Sequence, residues 1–188
     1  TMIIPTSSQL RYVGKPASID DMIGDDVESR VARPQDYDRI VAVIDDWWGR
    51  PVRASLPRLF LDHFWATSRV TDDEYGLAAF LVAFVSPSAP ELAYLHFVGV
   101  RPDRRRSGLA ESLYGEFLAY ASSVGCRQAR AVTASGNEGS IRFHQRLGFD
   151  VSAPMPNYNG VGRAMVTFTR SLETMTRTAS IGSARLPA

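Results

Sequence analysis

Val98-Gly99-Val100-Arg101-Pro102-Asp103-Arg104-Arg105-Arg106-Ser107-Gly108-Leu109-Ala110 is the stretch on which the reading of this chain turns. To its left, Leu92 to Val100 is an apolar run rich in Val, Phe, Tyr and Leu, the composition of a β-strand. To its right, Leu109, Leu113, Phe117, Tyr120 and Val124 recur at spacings of three and four, which predicts an amphipathic helix. The join is Arg105-x-x-Gly108-x-Ala110. Two small residues where a helix begins let the free N–H groups of its first turn come close to an anion. Arginines at 101, 104, 105 and 106 surround that opening with positive charge. Strand, small-residue turn, helix start and basic rim together read as a cradle for a pyrophosphate. A dinucleotide-binding turn would need Gly-x-Gly-x-x-Gly and a downstream acid, and that spacing is not present here.

The rest of the composition narrows the setting. With 188 residues, 45% hydrophobic and 22% charged, the chain is long and apolar enough for one domain with a real core. A formal net charge of +1 argues against a surface built to grip a polyanion. One cysteine, Cys126, forms no internal disulfide and fits a reducing cytosol; a small buried hydrophobe near a helix end is its expected role. No apolar run approaches the ~20 residues of a membrane helix, and residues near the start lack a basic-then-apolar secretion pattern. The expected location is cytoplasmic, with no membrane partner.

Along the chain, residues 1–26 show no sustained period and read as an N-terminal arm, and residues 173–188 read as a C-terminal tail. The domain is expected over residues 27–172. Glu28 to Ala32 is a predicted strand, followed by a helix entered through Arg33-Pro34-Gln35-Asp36 and carrying Tyr37, Ile40, Val41, Val43 and Ile44. The segment Asp45 to Pro51 predicts a turn, and Leu56 to Ser68 a second helix. Glu74 to Val85 predicts a long strand buried on both faces, turned back at Ser86-Pro87-Ser88-Ala89-Pro90 into an antiparallel strand from Glu91 to Val100. After the helix that Gly125 stops come a strand from Gln128 to Ala134, a turn at Ser135 to Glu138, a helix from Gly139 to Leu147, and a last strand from Arg163 to Thr169.

A second motif lies about thirty residues past the first: Asn137-x-x-Ser140-Ile141-x-Phe143-His144-x-x-Leu147-Gly148-Phe149. At these two motifs, in this order, the chain resembles the GNAT superfamily of acyl-CoA-dependent N-acyltransferases. That family shows Gln/Arg-x-x-Gly-x-Gly/Ala after a strand, then Asn-x-x-Ala-x-x-(Phe/Leu)-Tyr-x-x-Leu-Gly-Phe. Arg30-x-Ala32-x-Pro34-x-Asp36 is similar to the family's opening strand-turn-helix. The resemblance covers roughly residues 28 to 170 and is that of a bacterial-type single domain. It implies an α/β (α+β) fold with a mixed sheet of about seven strands, helices on both faces, and a splayed strand pair that admits acetyl-CoA as co-substrate.

The resemblance also implies roles. Exposed backbone groups of Phe97, Val98, Gly99 and Val100 would bond the pantetheine arm of coenzyme A as another strand would. Arg105, Arg106, Ser107, Gly108, Leu109 and Ala110 would hold its diphosphate, and Asn137 and Ser140 would lie beside the arm. Asn137 also fits a plain helix N-cap. His144 stands where the family has a tyrosine that protonates the CoA sulfur, so it is either that acid or a packing neighbour of the cofactor. On the strand, alternation predicts Tyr94, His96, Val98 and Val100 on one face. Related acetyltransferases carry a glutamate base at or two residues before His96. Neither place here is acidic, so His96 is the candidate base and Tyr94 the runner-up that positions the amine. The alternative for His96 is a purely structural role.

Trp47, Trp48, Arg50 and His63, with Tyr158 from a polar loop, are the expected acceptor-binding residues, although one or both tryptophans fit a core anchor equally well. Asp45, Asp46, Asp62 and Glu91 mix with Arg50, Arg53 and Arg58, which gives no charge signature for the acceptor. A small-molecule or peptide amine is the expected partner, and the superfamily often forms homodimers. The three histidines, 63, 96 and 144, have no ligand spacing, so no metal is expected. Nucleic-acid binding through Arg104-Arg105-Arg106 lacks a basic helix stripe and is not expected. A non-catalytic, CoA-binding or regulatory module of the same fold is the alternative to an enzyme.

Overall fold

Gly76–Ser86 and Ala89–Val100 form the hairpin at the centre of the molecule, β3 and β4 of a seven-stranded sheet in the order β1-β2-β3-β4-β5-β7-β6. The computed structural model describes residue 27 and residues 29–172, so the predicted arm and tail lie outside the described residues. The other strands are β1 (Ser29–Val31), β2 (Arg69–Asp73), β5 (Gln128–Ala134), β6 (Asp150–Val151) and β7 (Met165–Ser171). The helices are α1 (Asp36–Trp48), α2 (Leu59–His63), α3 (Leu109–Ser123) and α4 (Glu138–Arg146). This is the mixed α/β sheet that the sequence implied.

The apolar run of β3 is buried on both faces because each face supports its own core. Ala79, Leu81 and Ala83 enter a cluster with Leu113, Phe117 and Ala121 of α3. Phe80 and Val82, one residue out of phase, enter a cluster with Ile40, Ile44 and Trp47 of α1. Period-two alternation thus feeds two helix layers from one strand. Along α3 the buried stripe runs through Leu113, Tyr114, Phe117, Leu118 and Ala121, while Tyr120 and Val124, both expected inside, are exposed. Cys126 is buried, as a small hydrophobe would be.

Several boundaries differ from expectation. The helix α1 does not break at Asp45 but continues to Trp48, where Gly49 at φ 63° sends its N–H back to the carbonyls of Asp45 and Asp46. The expected helix over 56–68 is only the five residues of α2, with 3-10 turns at Arg53–Ser55 and Trp65–Thr67. Arg69–Asp73 is a strand that the sequence reading missed, and Glu74-Tyr75 is the tip of the β2–β3 hairpin rather than the start of β3. A two-residue turn flanked by Asp73 and Gly76 is a hairpin signal that the long apolar run concealed.

Two features of β4 prepare the site. Its pairing with β3 slips between Phe97, opposite Val82, and Leu95, opposite Ala83, so His96 is the extra residue of a β-bulge. The bulge overturns the expected face: Tyr94, His96 and Phe97 all meet aromatic partners, Phe84, Phe60 and Trp48, and lie toward the α1 and α2 side. Val98 and Val100 instead pack on the α3 cluster. Gly99 is required by close packing. A Cβ there would lie 2.9 Å from Trp48 Cη2 and 2.8 Å from Phe80 Cζ. Gly99→Ala should therefore cost about 1–3 kcal/mol of stability through overpacking, seen as a lower urea midpoint with an unchanged m-value. An unaltered midpoint would show that the two rings move aside freely.

Candidate active site

β4 and β5 pair in parallel over only three residues, Leu92 with Gln128, Ala93 with Ala129 and Tyr94 with Arg130. Beyond Tyr94, β4 stays with β3 up to Val100, while β5 stays with β7 up to Ala134. The two strands part, and the backbone groups of Leu95–Val100 that face β5 meet no strand among the described residues. Those groups still need hydrogen-bond partners.

At the end of β4 the chain passes through a 3-10 turn at Pro102–Arg104 and enters α3 at Gly108. Gly108 has φ +86° and no side chain caps the helix. Ser112 N–H is bonded to Gly108 C=O, so the N–H groups of Leu109, Ala110 and Glu111 have no intrahelical acceptor. A cleft of about 170 Å³ sits on this helix end, lined by Arg104, Arg105 and Arg106, by Leu109 and Ala110, and by Phe143 and Arg146 from α4. Bare amide donors, the positive end of the helix dipole and four guanidinium groups fit a diphosphate. Arg146 was not foreseen. It lies one helical turn beyond Phe143 and forms an ion pair with Glu111 of α3 at 3.3 Å.

The arginine rim is divided in its work. Arg101 turns away from the cleft and makes a two-pronged pair with the buried Asp73 carboxylate, at 3.0 and 2.6 Å, and another with Asp103 at 2.7 Å. Its hydrogen bond holds the Asp73 carboxyl below the usual carboxylate range. Arg104 lines the cleft 3.5 Å from the same carboxylate. Arg105 donates to the Trp47 carbonyl at the end of α1. Arg106 holds an exposed, positive-φ position, and Ser107 Oγ closes the turn on the Arg104 carbonyl at 2.6 Å.

A second cleft of about 300 Å³ is lined by Trp47, Trp48, Val98, Gly99, Val100 and Arg105. It shares Val100 and Arg105 with the first, so one groove runs from Trp48 past the end of β4 to Arg146. Trp47 is buried against Phe80 and is a core anchor whose edge reaches the cleft, whereas Trp48 is half-buried against Phe97. Arg50 is exposed just past the α1 cap, His63 is exposed at the end of α2, and neither lines a cleft. Tyr158 is exposed, and lies near enough to Tyr94 to add to the upward push that burial gives the Tyr94 hydroxyl.

His96 stacks on Phe60 at 3.9 Å and donates from Nε2 to the Ser55 carbonyl at 2.9 Å. That bond fixes the tautomer and leaves Nδ1 with the free lone pair. Burial lowers its pKa below the ordinary histidine value, with the Ser55 bond opposing, so the ring is neutral at pH 7.

His144 sits elsewhere. It is buried, lies flat on Phe168 at 3.8 Å, donates from Nδ1 to the Ser140 carbonyl at 2.8 Å, and accepts at Nε2 from the Tyr114 hydroxyl at 3.1 Å. It lines neither cleft, and both nitrogens are engaged inside the α3–α4 core. Both roles expected of it, acid or packing neighbour of the cofactor, put it beside the cofactor, whereas this placement puts it in the core. Asn137 accepts the Ser140 N–H at 3.2 Å and donates to Thr133 Oγ1 at 3.0 Å, which is the N-cap arrangement.

Residues 28–149 match the model of the Acetyltransferase (GNAT) family, and the chain belongs to that family. It is similar in fold to Ard1 from Thermoplasma volcanium, with a TM-score of 0.66 and 20% identity over 78% of this chain and 98% of that one. A phosphinothricin acetyltransferase from Sinorhizobium meliloti, solved in complex with AcCoA, gives a TM-score of 0.61 at 20% identity over 77% and 88% of the two chains. In sequence, the L-methionine sulfoximine/L-methionine sulfone acetyltransferase of Pseudomonas aeruginosa is 41% identical over 61 residues. That match spans 32% of this chain and 36% of the relative, about a third of each.

Two outcomes follow from this geometry. A Cβ on Gly108 would meet no protein atom within 4 Å, so what the glycine supplies is its left-handed backbone and not a lack of bulk against the protein. Gly108→Val should reshape the turn and weaken CoA binding at least tenfold by calorimetry, whereas Gly108→Asn, which tolerates positive φ, should lose less. Equal loss in both variants would assign the effect to the side chain. Second, burial lowers the His144 pKa in the folded protein below its ordinary value of 6.5. The unfolded chain then binds more protons as pH falls, so stability is held above about pH 6.5 and is lost as pH drops through the folded value. His144→Phe should make the decline from pH 7 to 5 shallower, while lowering stability at pH 7 by about 1–3 kcal/mol because the Tyr114 hydroxyl loses its acceptor. An identical pH slope in the variant would place the proton uptake elsewhere.

Proposed function

We propose that this chain is an N-acetyltransferase that moves the acetyl group of acetyl-CoA to the primary amine of a small molecule or peptide, by direct transfer while both substrates are bound. The observation that carries the reading is the groove itself: unpaired β4 edge, bare α3 N-terminus and arginine rim lie in continuous line. Acetyl-CoA supplies an activated thioester. The chain supplies donors for the diphosphate at Leu109 to Glu111, strand-like partners for the amide-bearing arm along Phe97–Val100, and a basic nitrogen on His96. The curated relative's substrate is an amino acid derivative, and the phosphinothricin enzyme shares the fold, which supports a small primary amine as the acceptor.

The proton balance follows from these residues. An amine arrives mainly as its ammonium and must lose a proton before its nitrogen can attack the thioester carbonyl. In this reading Nδ1 of His96 takes that proton and passes it to solvent. A new N–C bond forms and the C–S bond breaks; the second proton leaves the nitrogen during collapse and ends on the departing thiolate. A thiol of ordinary acidity leaves readily near neutral pH, so His144 need not protonate it.

His96→Ala should keep CoA affinity within about twofold and lower kcat/KM by about 10²–10⁴, the range for loss of a general base. In the unsubstituted enzyme the rate should fall on the acid side of pH 6.5, where His96, with its lowered pKa, becomes protonated. That limb should move or vanish in the variant. Thiol release from acetyl-CoA across a panel of amines checks the reaction; CoA binding without release for any amine would leave a binding module and refute the transferase.

A further inference from the structure

Among the described residues, the cleft on the α3 end is lined by one carboxylate, Glu111, set among guanidinium groups. Arg104 leans on Asp73 and Arg105 donates to the Trp47 carbonyl, and neither of those partners lines this cleft. Arg146 is paired inside it. Its guanidinium reaches from the last residue of α4 to Glu111 in the first turn of α3, 3.3 Å away. It also lies over the ring of Phe143, 5.8 Å from the ring centre.

Two ordinary roles do not account for this carboxylate. An acid third in a helix commonly reaches back to cap the first turn. No side chain caps α3, however, and Glu111 accepts from Arg146 instead. A tie between α3 and α4 is already made in the core by Tyr114 and His144. What Glu111 does is place a negative charge in the very turn whose N–H groups, those of Leu109, Ala110 and Glu111 itself, are free for an anion. A diphosphate there and the Glu111 carboxylate repel each other, and both attract Arg146. The existing pair is weakly held. The Arg146 side chain is 65% exposed and that of Glu111 43%, a setting in which an ion pair contributes little and exchanges readily.

We infer that Glu111 is a positioning residue that acts through Arg146 and sets how tightly the cradle holds CoA. With the cleft empty, Glu111 occupies the guanidinium at the rim. An incoming diphosphate takes Arg146 from it, so CoA binding is an exchange of one anion for another on the same cation, and no covalent bond is made or broken. The carboxylate therefore weakens CoA binding. A ligand that also gains the strand-like contacts of Phe97–Val100 offsets that loss, and as CoA leaves after turnover Glu111 retakes Arg146. This rests on the reading of the cleft as the seat of the CoA diphosphate and adds the residue that opposes it.

The test is calorimetric CoA affinity of the full chain, Glu111→Gln, Arg146→Gln and the double variant, at low salt and at about 0.5 M salt. At low salt Glu111→Gln should tighten CoA binding by about three- to fivefold, the upper range for an exposed ion pair. Arg146→Gln should weaken it. In the Arg146→Gln background the gain from Glu111→Gln should shrink to less than about 1.5-fold, and at high salt the gain in the unsubstituted background should also shrink. Urea midpoints should stay close to that of the unsubstituted chain, because the pair is exposed. Unchanged or weaker CoA binding in Glu111→Gln overturns the exchange and makes the carboxylate a support for Arg146 or a bystander. An equal gain in both backgrounds overturns it as well and leaves only direct repulsion of the diphosphate. Either result leaves the transferase standing, since that is judged by thiol release. No CoA binding by the unsubstituted chain removes the cradle, the transferase and the exchange together.

Discussion

The parting of β4 and β5 after Tyr94 is the constraint from which the rest of the site follows. Each strand is committed elsewhere: β4 to β3 through Val100, β5 to β7 through Ala134. Those partners lie on the outer edges of the pair, while the facing edges of β4 and β5 separate. Only three residue pairs are retained, and beyond them the sheet has an internal edge that meets no strand among the described residues. An edge normally invites association with another strand. Here α3 crosses beside it and ends on the same opening, so the edge becomes a slot of defined shape.

Packing then decides what the slot can be lined with. Gly99 lets Trp48 and Phe80 press against the backbone of β4, which sets the wall of the larger cleft. Arg105 ties the loop before α3 to the last carbonyl turn of α1, so the same loop that rims the anion cradle also holds the helix bearing the two tryptophans. Asp73, turned inward from the β2–β3 hairpin, neutralises Arg101 and steadies Arg104. The basic loop is therefore braced from behind by one carboxylate, and the remaining charge is left facing the groove.

The two central histidines show how placement divides identical side chains. Burial lowers the pKa of both, but their partners differ. His96 spends one nitrogen on a backbone carbonyl and keeps the other; His144 spends both within the core. The His96 imidazole sits at the β4 bulge with one lone pair free, and like His144 it lines neither cleft. A neutral imidazole bonded at both ends between α3 and α4 is suited to join two helices.

Much of this was legible in the amino-acid order, for local reasons. The apolar run of β3, the spacing of α3, the small residues at Gly108 and Ala110, the strand from Gln128 to Ala134 and the cap at Asn137 each depend on neighbours within a few residues. Two motifs in sequence were enough to imply the family and the splayed sheet. What the sequence could not decide were outcomes of contacts made across the fold. Arg69–Asp73 became a strand because β1 and β3 flank it, in spite of the helix-like spacing before it. The face of His96 turned on a one-residue slip against β3, which no alternation in β4 records. Of the arginines at 101, 104, 105 and 106, Arg101 was withdrawn by an aspartate twenty-eight positions earlier, while Arg146 arrived from a different helix. Local propensity sets which segments can form; long-range pairing and close packing set which side chains meet, and a site is made of side chains that meet.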